Sequence, residues 1–106
     1  MASQRQGLSV MDVEWDEEKN SQNKEKHKLS FETAQGIFND KRRIERLDKA
    51  DDEDRIVTIG MIGGVCVLAC YTIREYETHE RYRLISARKA DKQERKSYEA
   101  QRFLRT

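Results

Sequence analysis

No residue from Ile56 to Ile73 carries a charge, and Ile, Val and Thr dominate this 18-residue run. Gly60 and the pair Gly63-Gly64 interrupt it. Gly-Gly between two β-branched runs predicts a tight turn, so Arg55–Ile62 and Val65–Arg74 read as the strands of a hairpin. A two-residue turn fixes the register: Met61 opposite Cys66, Ile59 opposite Leu68, Val57 opposite Cys70, Arg55 opposite Thr72. The run also reaches the lower length limit of a membrane-spanning helix. The glycines and the β-branching favour the hairpin over that alternative. After a polar loop, Glu75–Glu80, residues Arg81–Arg88 read as a further strand. Lys41–Leu47 reads as a charged edge strand, followed by an acidic loop to Asp54.

Helical spacing appears elsewhere. Ser30 is a helix-capping residue, and Phe31, Ala34, Ile37 and Phe38 follow it as one apolar stripe, ending at Asn39-Asp40. Asp91, with Glu94 three residues later, predicts a capping box for a C-terminal helix whose apolar residues are Tyr98, Ala100, Phe103 and Leu104. Asp16 caps a third segment, with Glu17 and Glu18 in its first turn, running to His27. Nothing from Asp16 to Lys28 is apolar. That helix has propensity without amphipathicity, so Trp15 before it and Leu29 after it, or a partner, must anchor it. The expectation is an α+β fold: two N-terminal helices, an antiparallel sheet of about four strands, and a C-terminal helix. Residues 1–12 read as a flexible leader and 13–104 as one domain.

Composition limits what this domain can do. The chain has 106 residues, of which 39% are charged and 36% apolar. So small a core leaves little room for a deep substrate pocket, which favours a site on an exposed sheet or cleft. Two cysteines cannot build a disulfide scaffold. Cys66 and Cys70 stand roughly 13 Å apart along one strand, beyond disulfide reach, and read as small core residues. The net charge is +1, yet residues 81–106 hold nine Lys and Arg against three Asp and Glu. That imbalance suits a localised anion-binding face or a solvated charged helix. With no secretion signal, the chain is expected in the cytoplasm.

No nucleophile triad, phosphate-binding glycine loop or metal-ligand spacing stands out, so neither a metal nor another cofactor is expected. His79 reads as an exposed loop residue, and His27 as a cationic group at a helix end or a base. The arginines are more informative. If the 75–80 loop is symmetric, Arg74 faces Arg81 and Thr72 faces Arg83. Arg55, Arg74, Arg81 and Arg83 then gather at one end of one sheet face. Alternation sends Arg88 to the other face unless a bulge turns it. Such a cluster suits a phosphate-rich ligand, because guanidinium groups hold phosphate bidentately. Surface salt bridges to Glu75, Glu77 and Glu80 are the alternative.

An ordered series of residues resembles the BrnT toxins of type II toxin–antitoxin pairs. It begins with Trp15-Asp16, Lys19, Asn23, Lys26-His27, Leu29-Ser30-Phe31-Glu32 and Ala34. Arg55, Thr72 and Arg74 follow, then the run Arg81 to Ala90, Glu94-Arg95 and Tyr98-Glu99. The series spans residues 13–99. It departs from the family at Lys24, where an apolar residue is usual, at Lys28, where glycine is usual, and at Lys41, where proline is usual. The resemblance implies a RelE-like fold and an endoribonuclease that cleaves RNA and inhibits translation. It implies a BrnA-like antitoxin partner, a heterotetramer with it, and promoter DNA contacted indirectly through the antitoxin.

By their match to family motif positions, Arg74, Arg83 and Arg88 are the expected catalytic donors, with Lys26 for phosphate contact or proton transfer. Arg55, Arg81 and Lys89 are the expected RNA-binding residues. The base that accepts the proton is not evident. A non-catalytic nucleic-acid-binding module using the same arginines is the alternative.

Overall fold

The computed structural model describes residues 12–49 and 54–104. Most of the expected leader (1–11), the middle of the expected acidic loop (50–53) and the last two residues lie outside the described residues. Five strands form one sheet: β1 (Asp12–Glu14), β2 (Ile44–Lys49), β3 (Asp54–Ile62), β4 (Val65–Glu75) and β5 (Glu80–Lys89). Their order is β1-β5-β4-β3-β2. β1 runs parallel to β5, and the other pairs are antiparallel. The sheet is therefore five-stranded and mixed, not four-stranded and antiparallel. β1 escapes sequence reading because its three residues contain one apolar side chain, Val13, which gives no alternation. The edge strand lies a few residues later than Lys41–Leu47, because Asp40 and the turn at Lys41-Arg42 precede it.

The hairpin has the expected register, with Met61 opposite Cys66, Ile59 opposite Leu68 and Val57 opposite Cys70. Gly63 and Gly64 both take positive φ, 53° and 89°, as a two-residue hairpin turn of this kind requires. The uncharged run is thus two paired strands, and no helix among the described residues is long and apolar enough to cross a membrane. Cys66 is buried, Cys70 half-buried, and both are free.

Helices cover one sheet face. α1 (Glu17–His27) is capped by Asp16, whose side chain accepts from the Glu18 N–H at 3.1 Å. α2 is one α-helical turn, Phe31–Ala34, capped by Ser30 and continued as a 3-10 helix over Gln35–Asn39. The expected stripe is present: Phe31, Ala34 and Ile37 are fully buried against Val67, Ala69, Tyr71, Leu84 and Ala87. Trp15 and Leu29 pack against this cluster, anchoring α1 at both ends.

Between those ends α1 is held by amides. Asn23 Nδ2 donates to the carbonyls of Leu29 and Ala87, both at 2.8 Å, and its Oδ1 accepts from the Ala87 N–H at 3.1 Å. β1 pairs β5 only along Arg81–Arg83. Beyond that point the side chain of Asn23 takes the place of a neighbouring strand for the backbone of Ala87. Asn20 does the same for α2, its Oδ1 accepting from the Phe31 N–H at 2.8 Å. Buried backbone groups need such partners, so a polar helix docks without an apolar stripe.

α3 (Lys92–Ala100) lies across part of the opposite sheet face. Its capping box is complete, Asp91 and Glu94 each accepting from the other's N–H at 2.8 Å. The helix ends at Ala100, and the chain then folds back so that Phe103 joins Tyr98 over Ile59, Cys66 and Ala90. Asp40 fastens this layer, accepting from the Tyr98 hydroxyl at 2.7 Å and from the Met61 N–H at 2.8 Å. Its carboxyl stays below the usual aspartate range: burial pushes it up, but these hydrogen bonds and Arg42 outweigh that.

Candidate functional site

The sheet face that α3 leaves open carries the arginines. Arg74 pairs with Arg81 and Thr72 with Arg83, as a symmetric loop requires. The register then shifts. Tyr71 pairs with Leu84 but Cys70 pairs with Ser86, leaving Ile85 as an extra residue on β5. A bulge of one residue inverts the alternation beyond it. Leu84 and Ala87, three apart, therefore both face the helix layer. Arg88, opposite Leu68, comes to the same face as Arg81 and Arg83. Strict alternation would have hidden it on the other side. The bulge thus adds Arg88 to the row of arginines on the face that carries Arg55, Arg74, Arg81 and Arg83, where Arg46, opposite Val57, also lies.

Their surroundings differ. Arg83 Nη1 donates to Glu14 Oε2 at 2.8 Å, and Arg81 stands 3.8 Å from the same carboxylate and 3.9 Å from Asp12. Glu14 also accepts from the Tyr76 hydroxyl at 2.8 Å. Burial raises the Glu14 carboxyl, but Tyr76, Arg83 and Arg81 together hold it below the usual glutamate range. Arg88 makes a two-pronged contact with Glu94, Nη1 to Oε1 at 2.9 Å and Nη2 to Oε2 at 2.8 Å, which strengthens its hold on its proton. Arg55 and Arg74 are exposed, and their side chains make no hydrogen bond or ion pair among the described residues. Glu75, Glu77 and Glu80 form no ion pair with these arginines either. The counter-charges come instead from β1 and α3, which the strand pattern did not reveal.

Two expected residues lie elsewhere. Lys89 pairs with Val67 and so occupies the helix-layer face by register. Lys26 is exposed on α1, which packs on that same layer, and no hydrogen bond or ion pair joins it to the arginines. Conversely, the loop from β4 to β5 brings in side chains that the sequence left idle. The Tyr76 N–H donates to the His79 carbonyl at 2.7 Å, closing a four-residue turn. The His79 ring stacks on Tyr76 with centroids 5.2 Å apart, and its Nε2 accepts from Arg81 Nε at 3.2 Å. A histidine two residues before an arginine of the row was the available signal.

Beside Arg88 a cleft of about 490 Å³ separates α3 from the sheet, floored by Val57, Ile59 and Leu68 and rimmed by Arg46 and Glu94. The Arg46 guanidinium lies 4.7 Å over the Phe103 ring at its edge. Among the described residues no group of three or more His, Cys, Asp or Glu could hold a metal ion. The chemistry on offer is therefore cationic: guanidinium donors arrayed over an open, shallow surface, suited to a polyanion rather than to an enclosed small molecule.

Comparison with known families gives a match over residues 15–94 to the family described as ribonuclease toxin, BrnT, of type II toxin-antitoxin system. No curated protein matches the chain.

Proposed function

This chain belongs to the BrnT family of type II toxin–antitoxin ribonuclease toxins, and from that premise we propose that it is an endoribonuclease whose arginine face binds and cleaves RNA in the cytoplasm, inhibiting translation. The observation that carries this reading is the bulge at Ile85, which turns Arg88 onto the same sheet face as Arg74, Arg81 and Arg83, further along β5. In the proposed reaction the RNA 2′-hydroxyl attacks the adjacent phosphorus and the bond to the 5′-oxygen breaks. Charge builds on the non-bridging phosphate oxygens, where fixed guanidinium donors help most. Arg74, Arg83 and Arg88 are assigned that role. Arg55 and Arg81 hold neighbouring phosphates, while Lys89 and Lys26 meet the RNA only where it wraps past the sheet edge toward the helix layer. The donor set is cationic, so the reaction is assigned no metal.

The partner in this reading is a BrnA-like antitoxin, assembled with the toxin as a heterotetramer and contacting promoter DNA on its behalf. An acidic or interlocking antitoxin segment would neutralise the arginine face by charge complementarity. The test is turnover: purified protein shortens RNA, and added antitoxin prevents it. A protein that only binds nucleic acid would retard RNA without shortening it.

A further inference from the structure

The arginine face holds donors in excess and one imidazole nitrogen placed to accept. Glu14 is occupied by Tyr76 and Arg83, and Glu94 by Arg88 and the Asp91 N–H. The Tyr76 hydroxyl donates a hydrogen bond to Glu14, which together with burial and the charge of Glu14 makes the phenol hold its proton more tightly. His79 differs. Arg81 Nε can only donate, so the His79 Nε2 that receives it at 3.2 Å presents a lone pair. In a neutral ring the proton then sits on Nδ1, which donates to Thr78 Oγ1 at 3.0 Å. Stacking on Tyr76 fixes the plane of the ring. The turn 76–79, closed by its own backbone hydrogen bond, fixes its position relative to Arg81. The lone pair is thus aimed at the arginine row, and the group covering it is itself a phosphate ligand.

We infer that His79 is the general base of the cleavage reaction, its Nε2 uncovered when Arg81 turns to the RNA phosphate. This rests on the ribonuclease reading above. His79 Nε2 takes the proton of the 2′-hydroxyl as the bond from the 2′-oxygen to phosphorus forms. The bond from phosphorus to the 5′-oxygen breaks, and the 5′-oxygen takes a proton from water. The imidazolium then returns its proton to solvent. The charged groups around the ring are Arg81, Arg74 opposite Arg81, Glu14 and Asp12 of β1 against Arg81, and Glu77 and Glu80 flanking the turn.

The test is single-turnover cleavage of a long RNA transcript from pH 5 to 8.5, by the wild type and by His79→Gln. Glutamine can still accept from Arg81, so it preserves positioning and removes proton transfer. The wild-type rate should rise through the range where imidazole loses its proton and then level. His79→Gln should lose roughly 10²- to 10⁴-fold in rate and that inflection, while binding a 2′-deoxy-substituted RNA within about twofold of the wild type. Wild-type rate and inflection in His79→Gln would overturn the assignment and leave the ribonuclease reading standing. An intact transcript with the wild-type protein would overturn both.

Discussion

Arg88 and Glu94 form a two-pronged ion pair, 2.9 and 2.8 Å, and the same Glu94 carboxylate closes the capping box of α3 by accepting from the Asp91 N–H. One acidic side chain thus fixes both the start of a helix and the direction of a guanidinium proposed to meet RNA. Glu94→Ala should therefore act in two ways. Losing the capping partner should lower stability by about 1 kcal/mol, measured by thermal unfolding. Freeing Arg88 and removing a negative charge should tighten binding of uncleavable RNA at low salt, measured by titration.

Arg74 offers the complementary experiment, because its side chain has no hydrogen bond or ion pair among the described residues and it faces another arginine, Arg81. Arg74→Ala should leave unfolding within about 0.5 kcal/mol of the wild type. The cleavage rate should fall by roughly 10²- to 10³-fold if Arg74 donates to the transition state. Full activity in this variant would remove it from the site.

Asn23 separates docking of α1 from any apolar packing. Asn23→Ala leaves the buried Ala87 N–H and carbonyl without their partner, at about 1–3 kcal/mol for each group. The protein should be strongly destabilised in denaturant unfolding. Asn23→Leu, which adds apolar surface but no amide, should not rescue it.

Those three positions show what the sequence makes legible. The caps Asp16, Ser30 and Asp91 could be read because capping depends on chemistry local to a turn. The hairpin register followed from Gly63-Gly64, and the pairing of Arg74 with Arg81 from loop symmetry. The bulge at Ile85 was not legible, since no glycine marks it. It is visible only as a conflict between Leu84 and Ala87, which must both reach the core. β1 was too short to show a period. α1 docks through hydrogen bonds to backbone, which hydrophobic periodicity does not detect.

Lys28 stands where the family that the sequence resembles usually has glycine. It ends α1 in the left-handed conformation, with φ of 59°. A residue with a Cβ is strained there, and glycine is favoured at this helix-ending position. Lys28→Gly should raise stability by several tenths to about 1 kcal/mol. Lys28→Val should lower it, both read from thermal unfolding.

The central claim is that the arginine face cleaves RNA by cation-assisted attack of the 2′-hydroxyl. Its most direct test follows end-labelled RNA on a denaturing gel in the presence of EDTA, with wild type, Arg83→Ala and Arg88→Ala at equal folded concentration. The account predicts shortened RNA with the wild type despite the chelator, and rates roughly 10²- to 10³-fold lower in each variant. Cleavage by both variants at the wild-type rate, or wild-type cleavage abolished by EDTA and restored by magnesium, would contradict it.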